Sequence, residues 1–189
     1  MLIRKFAARS VVLSLVAMSA TAQAPQCEVR VGSARAGAGK TVVLPLTVRD
    51  SQGTPLGWER PFGERVQGIS LRVQALPAQA VRSIVVRRAG ITADLAPLFE
   101  TRPAGRGSAS LLVSFEEATD LVPLTASGRG GQQVAAVEVQ LAAGLAPGTV
   151  IELRLDPGVT VLSNQGGTVA ESAANGWLRL VDGRIEVTR

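Results

Sequence analysis

The densest group of acidic side chains in this sequence is Glu116, Glu117 and Asp120. Paired carboxylates hydrolyse glycosidic bonds, and clustered carboxylates also bind calcium. Glu116 and Glu117 are adjacent, however, and adjacent residues on a strand point to opposite faces. No Asp-x-Asp-x-Asp-Gly loop surrounds them, so the oxygen ligands for calcium are few. We therefore expect a solvated strand end here, without a catalytic or metal role.

The sequence contains no histidine and a single cysteine, Cys27. Ser-His-Asp and Cys-His nucleophile systems and histidine-ligated metal sites are therefore excluded. Residues 34–41 suggest a phosphate-binding loop, but Ala34 stands where that motif needs glycine, and the strand-like TVVLPLTV follows instead of a helix. We expect that the protein is not an enzyme, and that it binds no cofactor and no metal. Cys27 cannot form an internal disulfide, and we expect a reduced thiol beside a loosely ordered N-terminus.

Two further groups of side chains bear on the choice of partner. Arg82, Arg87 and Arg88 form the best basic cluster, but no aromatic side chain stands beside it, so we expect no nucleic-acid partner. Trp58 and Phe62 lie between glycine and proline residues, as in a loop. Exposed, they could anchor a protein or stack on a sugar; folded back, they would cap the core. The sequence leaves both alternatives open.

Residues 1–22 have the pattern of an export signal. Arg4, Lys5 and Arg9 precede a short apolar run, and Ala20-Thr21-Ala22 offers a small-residue cleavage site. The apolar run is shorter than the roughly 20 residues that a membrane-spanning helix needs. Removal of residues 1–22 lowers the formal net charge from +5 by three, to +2. We expect an exported protein, extracellular, on the cell surface or periplasmic, whose contact with a membrane is limited to this signal.

Alternation of apolar and polar residues dominates the rest of the chain. Residues 132–155 hold two such runs, separated by a turn at Pro147-Gly148. In the first run Val137, Val139 and Leu141 share one face, opposite Glu138. Similar short runs recur between turn signals. We expect a short tail at residues 23–27 and a single all-β domain at residues 28–189, an antiparallel sandwich or jelly roll.

Some segments interrupt this pattern. We expect residues 32–40 to form a glycine-rich turn and residues 89–103 to be irregular, with one helical turn. Pro45 has no N–H, so its strand should lie at a sheet edge or carry a bulge. Asp182-Gly183 is a strong signal for a hairpin turn.

The order of these pieces resembles the cohesin domain of the carbohydrate-binding-module/cohesin superfamily. The similar pieces are VRVGSARAGAGKTVVLPLTVRD (29–50), GISLRVQA (68–75), SASLLVSFEEATDLV (108–122), VAAVEVQLAAGLAPGTVIEL (134–153) and VDGRIEV (181–187). The resemblance implies a nine-stranded, non-catalytic jelly-roll sandwich. It also implies a protein partner, of the dockerin type or from the cell envelope, and a link to polysaccharide breakdown. Relatives on this fold bind carbohydrate directly, so a carbohydrate-binding module is the alternative.

If a sheet face binds the partner as in cohesins, the outward residues of the matching strands are the candidates. They are Ser70, Arg72, Gln74, Leu112, Ser114, Glu138 and Gln140. Polar outward residues are also expected of any half-buried sheet.

Overall fold

The computed structural model describes residues 27–50, 68–94, 98–114, 131–163 and 170–189. The predicted export signal, Trp58 and Phe62, and the acidic group at Glu116, Glu117 and Asp120 lie outside the described residues. In chain order the strands are β1 (Cys27–Val31), β2 (Ser33–Gly37), β3 (Thr41–Asp50), β4 (Gly68–Leu76), β5 (Val81–Arg88), β6 (Leu98–Pro103), β7 (Ser108–Ser114), β8 (Gln132–Leu141), β9 (Val150–Leu155), β10 (Val161–Ser163), β11 (Ala170–Ser172), β12 (Leu178–Val181) and β13 (Gly183–Thr188). A 3-10 turn occupies Ala78–Ala80, and helix α1 spans Ile91–Asp94. No helix within these ranges is long and apolar enough to cross a membrane.

The strands form two sheets that enclose one core. The five-stranded sheet has the order β12-β1-β3-β8-β5. The eight-stranded sheet has the order β11-β10-β4-β9-β13-β2, with β7 paired to β4 and β6 paired to β7. Two contacts are parallel, β1 with β12 and β2 with β13. The expected all-β sandwich is confirmed. The described residues contain more strand segments than the nine expected, and these two parallel contacts depart from a purely antiparallel pattern.

Alternation decides which side of each strand enters the core. In β3, Val42, Leu44, Leu46 and Val48 are buried, while Val43 points outward and is 62% exposed. Burying one such aliphatic side chain stabilises the fold by about 1.5–3 kcal/mol, so the inward face of each strand is fixed. The other strands with clear alternation contribute the inward residues that the pattern predicts: Ile69, Leu71, Val73, Leu111, Val113, Val137, Val139, Leu141, Ile151, Leu153 and Leu155.

Three of the expected segment boundaries and conformations are wrong. Residues 33–37 form β2, which pairs with β13, where a turn was expected. Residues 98–103 form β6, which pairs with β7, where irregular chain was expected; the helical turn is present, as α1. Cys27 is the first residue of β1 and only 3% exposed, so the sandwich begins one residue earlier than expected and the thiol is in the core. Strands β13 and β12, both distant in the sequence, pair with β2 and with Cys27, whereas β6 pairs with β7, which follows it after four residues.

Pro45 lies on the interior strand β3, and its missing N–H does not remove a backbone hydrogen bond between β3 and β8. The Pro45 carbonyl accepts the Gly32 N–H at 2.8 Å, and the Pro45 Cδ lies 2.6 Å from where a Cβ on Gly32 would stand. The imide nitrogen therefore faces the point where β1 has just ended, at Val31. Strand β3 is not an edge strand, but a register shift against β8 occurs one residue after Pro45, between Leu46 and Thr47, so the second of the two expected alternatives, a bulge, is the one present.

The chain changes sheet twice at the same place. It passes from β1 to β2 through Gly32, and from β12 to β13 through Asp182, with the two crossings side by side. A Cβ on Gly183 would overlap the Gly32 carbonyl oxygen and lie 2.7 Å from Val31 Cγ1. Asp182-Gly183 is therefore a crossing between sheets, and the expected hairpin is wrong. The Asp182 carboxylate accepts the Leu155 N–H at 2.9 Å, which ties the crossing to β9.

Candidate functional site

The predicted surface residues of β4 and β7 lie together on the outward side of the eight-stranded sheet. Ser70 stands opposite Leu112, and Arg72 stands opposite Ser110. Ser114 lies at the end of the same pairing, opposite Gly68. Gln74 continues the row toward β9, where it stands opposite Arg154. These outward residues therefore form one continuous surface.

Glu138 and Gln140 do not belong to this surface. Both lie on β8, in the five-stranded sheet, where they stand opposite Val43 and Thr41. Their side chains point out of the other side of the sandwich, because the inward residues of both sheets meet in the core between them. The seven predicted residues therefore cannot contact one partner through a single face, and the grouping in the sequence prediction needs this correction.

The strand that completes the first surface is β6, which pairs with the free side of β7. We use "β4–β7 face" for the outward side chains of β4, β6 and β7: Ser70, Arg72, Gln74, Leu98, Glu100, Arg102, Ser110, Leu112 and Ser114. Leu98 is 55% and Leu112 46% exposed, although both are large aliphatic side chains. A depression of about 250 Å³ beside Leu112 is lined by Ser70, Glu100, Arg102, Ser110 and Val159. Exposed aliphatic groups beside a shallow depression are features of a protein-docking surface.

Arg72 is held in place at the centre of the β4–β7 face. Its Nη1 donates to Asp156 Oδ2 at 3.3 Å and its Nε to Ser110 Oγ at 3.4 Å. The backbone N–H of Asp156 donates to the Arg72 carbonyl at 3.0 Å, and Asp156 Oδ1 accepts the Gly158 N–H at 2.9 Å. The turn between β9 and β10 thus fixes the guanidinium, so a partner would meet a preorganised group.

The other charges on and beside this face are also paired within the chain. Arg102 contacts Glu100 at 3.3 Å, and Arg154 contacts Glu152 at 2.6 Å. Each exposed pair contributes about 0–1 kcal/mol to stability. Their effect on recognition is larger, because paired opposite charges leave little net field to steer a charged partner. Contact with the two leucines, rather than net charge, should dominate binding here.

Leu98, Glu100, Arg102 and Asp156 were missed by the sequence reasoning. The signal for the first three is present, since Leu98, Glu100 and Arg102 alternate with Phe99 and Thr101. The run is only six residues long and follows a helical turn. No short pattern marks Asp156, because its contact with Arg72 joins residues far apart in the sequence.

The opposite side of the sandwich carries a different arrangement of charges. Arg87 Nε donates to Glu138 Oε2 at 2.7 Å, and Arg87 Nη2 donates to Oε1 at 3.4 Å. This hydrogen bonding lowers the pKa of Glu138 below its usual value and raises the pKa of Arg87. Arg88 lies over the Phe99 ring at 5.2 Å and donates to the Thr92 carbonyl at 3.4 Å. Two of the three arginines of the basic cluster, Arg87 and Arg88, are thus engaged within the chain.

Within the described ranges, no three His, Cys, Asp or Glu side chains are grouped so that they could hold a metal ion.

The chain was compared with known proteins. No family model matches it, and no curated protein matches it. Solved structures do match across most of the chain. CaCohA2 of Clostridium acetobutylicum, solved in complex with CaDoc0917, is 17% identical with a TM-score of 0.59, over 86% of this chain and 99% of that one. The third ScaC cohesin of Acetivibrio cellulolyticus, solved with the ScaB dockerin, is 21% identical with a TM-score of 0.56, over 86% and 99%. A non-cellulosomal cohesin of Archaeoglobus fulgidus is 14% identical with a TM-score of 0.54, over 87% and 92%. The resemblance found in the sequence is thereby confirmed at the level of structure: this chain has the cohesin fold.

Proposed function

We propose that this protein is a non-catalytic, cohesin-like module that binds a protein partner through the β4–β7 face. The observation that carries the proposal is the structural match to cohesins over nearly their whole length, including cohesins solved with dockerins bound. A dockerin-like module is therefore the first partner to test, and a cell-envelope protein is the second. The absence of histidine from the sequence supports a binding role over a catalytic one.

The chemistry of the β4–β7 face is consistent with this role. Leu112 exposes apolar area on β7, the middle strand of the face, and Leu98 does so at one end of β6; the hydroxyls of Ser70, Ser110 and Ser114 surround Leu112. Burying apolar area supplies affinity, while surrounding polar groups exclude water and fix orientation. The partner surface that fits is one with a protruding aliphatic side chain for the depression beside Leu112.

The proposal extends to location and context. The predicted export signal at residues 1–22 supports action outside the cytoplasm, in the periplasm, at the cell surface or in the medium. The cohesin fold supports a link to polysaccharide breakdown, because dockerins on enzymes would be the cargo of such a module. Direct carbohydrate binding through Trp58 and Phe62 is the alternative, and it is an outcome of the experiment below.

The test is a binding titration by calorimetry. Purified protein is titrated with the CaDoc0917 and ScaB dockerins, and with each dockerin-bearing protein that its own genome encodes. Leu112→Lys is the disruptive variant, since Leu112 stands opposite Glu100 and the new lysine has a partner in the folded monomer. Val43→Lys is its match on the other sheet, because Val43 stands opposite Glu138.

We expect Leu112→Lys to weaken dockerin binding at least tenfold, which corresponds to about 1.4 kcal/mol of binding free energy. Val43→Lys should leave the affinity for the dockerin unchanged. Equal affinity of Leu112→Lys and the unaltered protein would refute the β4–β7 face. If no dockerin binds and the protein instead sediments with an insoluble polysaccharide, and Trp58→Ala abolishes this, the carbohydrate alternative replaces the proposal.

A further inference from the structure

A groove of about 760 Å³ lies where the chain crosses between the two sheets. Strand β13 joins β9 only from Gly183, which stands opposite Leu153, whereas β9 continues to Leu155. Through Asp182 the chain arrives from β12 in the other sheet, so no described strand lies beside Arg154 and Leu155 on the side of β13. We use "crossing groove" for this space. Its volume lies within the range of roughly 300–1,000 Å³ that is usual for small-ligand sites.

The floor of the crossing groove is apolar and is held in place by the fold. Leu155, Pro157 and Leu180 supply its apolar surface. Leu155 is part of the core, and Leu180 packs against the core. Asp182 Oδ1 accepts the Leu155 N–H at 2.9 Å, and a Cβ on Gly183 would overlap the backbone of the neighbouring crossing. The groove is therefore preformed, and a preformed site reduces the entropy that a ligand loses on binding.

The carboxylates that line the crossing groove, Glu152 and Asp182, are already engaged within the chain. Glu152 Oε2 accepts from Nε and Nη2 of Arg154 at 2.9 and 2.6 Å. Asp182 holds the Leu155 N–H, as described above. The ammonium group of a ligand would have to compete with these bonds, so the groove favours a ligand without one.

Arg184 also lines the groove, and its side chain is the least engaged of the four charged ones. Within the described residues its guanidinium has one ion-pair contact, Nη2 to Glu186 Oε2, and this contact is 3.9 Å long, beyond hydrogen-bond distance. The same oxygen lies closer to Arg35 Nε, at 3.4 Å. A guanidinium fork binds a carboxylate through two parallel hydrogen bonds. The groove therefore offers a carboxylate-binding group beside an apolar floor.

We infer that the crossing groove binds the C-terminal residue of a peptide whose last side chain is aliphatic. The terminal carboxylate pairs with Arg184, and the side chain lies against Leu155 and Leu180. A peptide end carries a neutral amide nitrogen where a free amino acid carries an ammonium group, which suits a groove whose carboxylates are engaged. This inference stands apart from the proposed function, because the groove shares no residue with the β4–β7 face.

An NMR titration of backbone amides with N-acetyl-L-leucine tests the inference. This probe has the carboxylate, the neutral amide and the aliphatic side chain of a peptide end. The full chain is expressed with its own N-terminal residues, so that any natural processing takes place. We expect the amides of Leu155, Gly183 and Arg184 to shift, with a dissociation constant on the order of 1 mM for so small a ligand. N-acetyl-L-leucine amide has no carboxylate and should bind at least roughly fivefold more weakly.

Arg184→Gln is the disruptive variant. It should bind N-acetyl-L-leucine and its amide equally, because the group that distinguishes these two ligands has been removed. Arg35→Gln is the matched control, since Arg35 is also exposed and also contacts Glu186 but does not line the groove. This variant should bind both ligands like the unaltered protein. Both substitutions replace exposed side chains, and circular dichroism shows whether the variants keep the fold.

The absence of amide shifts at about 20 mM N-acetyl-L-leucine, roughly 20 times the expected dissociation constant, would overturn the inference. Equal affinity of the unaltered protein for the acid and its amide, or unchanged affinity in Arg184→Gln, would overturn it as well. Free L-leucine bound as tightly as the acetylated form would exclude the peptide end as the ligand. Inorganic phosphate that shifts the same amides with equal affinity would show only that an exposed arginine attracts anions. None of these results depends on whether a dockerin binds, so failure here is distinguishable from failure of the proposed function.

Discussion

The paired crossings at Gly32 and Gly183 make a sharp prediction about stability. In Gly32→Ala the new methyl carbon would stand 2.6 Å from Pro45 Cδ and 2.9 Å from Pro45 Cγ. The proline ring is rigid and its strand is interior, so the crossing itself must move. Overpacking of this kind costs about 1–3 kcal/mol. Displacement of the 2.8 Å hydrogen bond from Gly32 N–H to the Pro45 carbonyl adds about 1 kcal/mol.

One effect opposes this loss. Replacing glycine by alanine restricts the unfolded chain and stabilises the native state by about 0.4–1 kcal/mol. The net expectation for Gly32→Ala is a loss of about 2–3 kcal/mol, a sizeable part of the roughly 5–15 kcal/mol that holds a domain folded. Urea unfolding followed by circular dichroism measures it, as a lower midpoint with an unchanged slope.

Gly144→Ala is the control for this experiment. A Cβ on Gly144 meets nothing within 4 Å, and its backbone is outside the left-handed region. The unfolded-state effect therefore acts alone, and the variant should be unchanged or slightly more stable than the unaltered protein. Equal stability of Gly32→Ala and Gly144→Ala would refute the close approach of Gly32 and Pro45, and with it the account of how the chain changes sheets.

Two further predictions concern polar contacts. Because the pKa of Glu138 is lowered in the folded state, its contribution to stability is present above the pKa of an unfolded glutamate and is lost as pH falls through the folded pKa. An NMR titration of the Glu138 carboxyl should give a midpoint below that of an ordinary glutamate, and Arg87→Ala should raise it; identical midpoints would contradict the pairing. Thr92 is fully buried, and its hydroxyl donates to the Val134 carbonyl at 2.8 Å and accepts the Ala89 N–H at 3.1 Å. Thr92→Val should lower the unfolding free energy by about 1–3 kcal/mol in urea, since it leaves buried polar groups unpaired, and an unchanged midpoint would show that water reaches them.

The sequence predicted the inward residues of the long strands because period-2 alternation is a local property. Val42 and Leu44 of β3, like Ile69 and Leu71 of β4, had to share a face whatever their neighbours were. β2 escaped detection because Ser33, Ala34 and Ala36 are too small to show a clear alternation. Its strand conformation comes from pairing with β13, at the far end of the chain. The sequence did not predict the crossing between sheets at Asp182-Gly183, because the same dipeptide also forms hairpin turns.

The candidate site was predicted in part, and its error has a geometric origin. The alternation of apolar and polar residues predicts that Ser70 and Glu138 point away from the core. A sandwich, however, has two outward faces, one on each sheet. The choice between them depends on sheet assignment, and pairings between distant segments set that assignment. Ser70 and Leu112 were grouped correctly because β4 and β7 are neighbours. Glu138 was grouped with them wrongly because nothing local distinguishes its sheet.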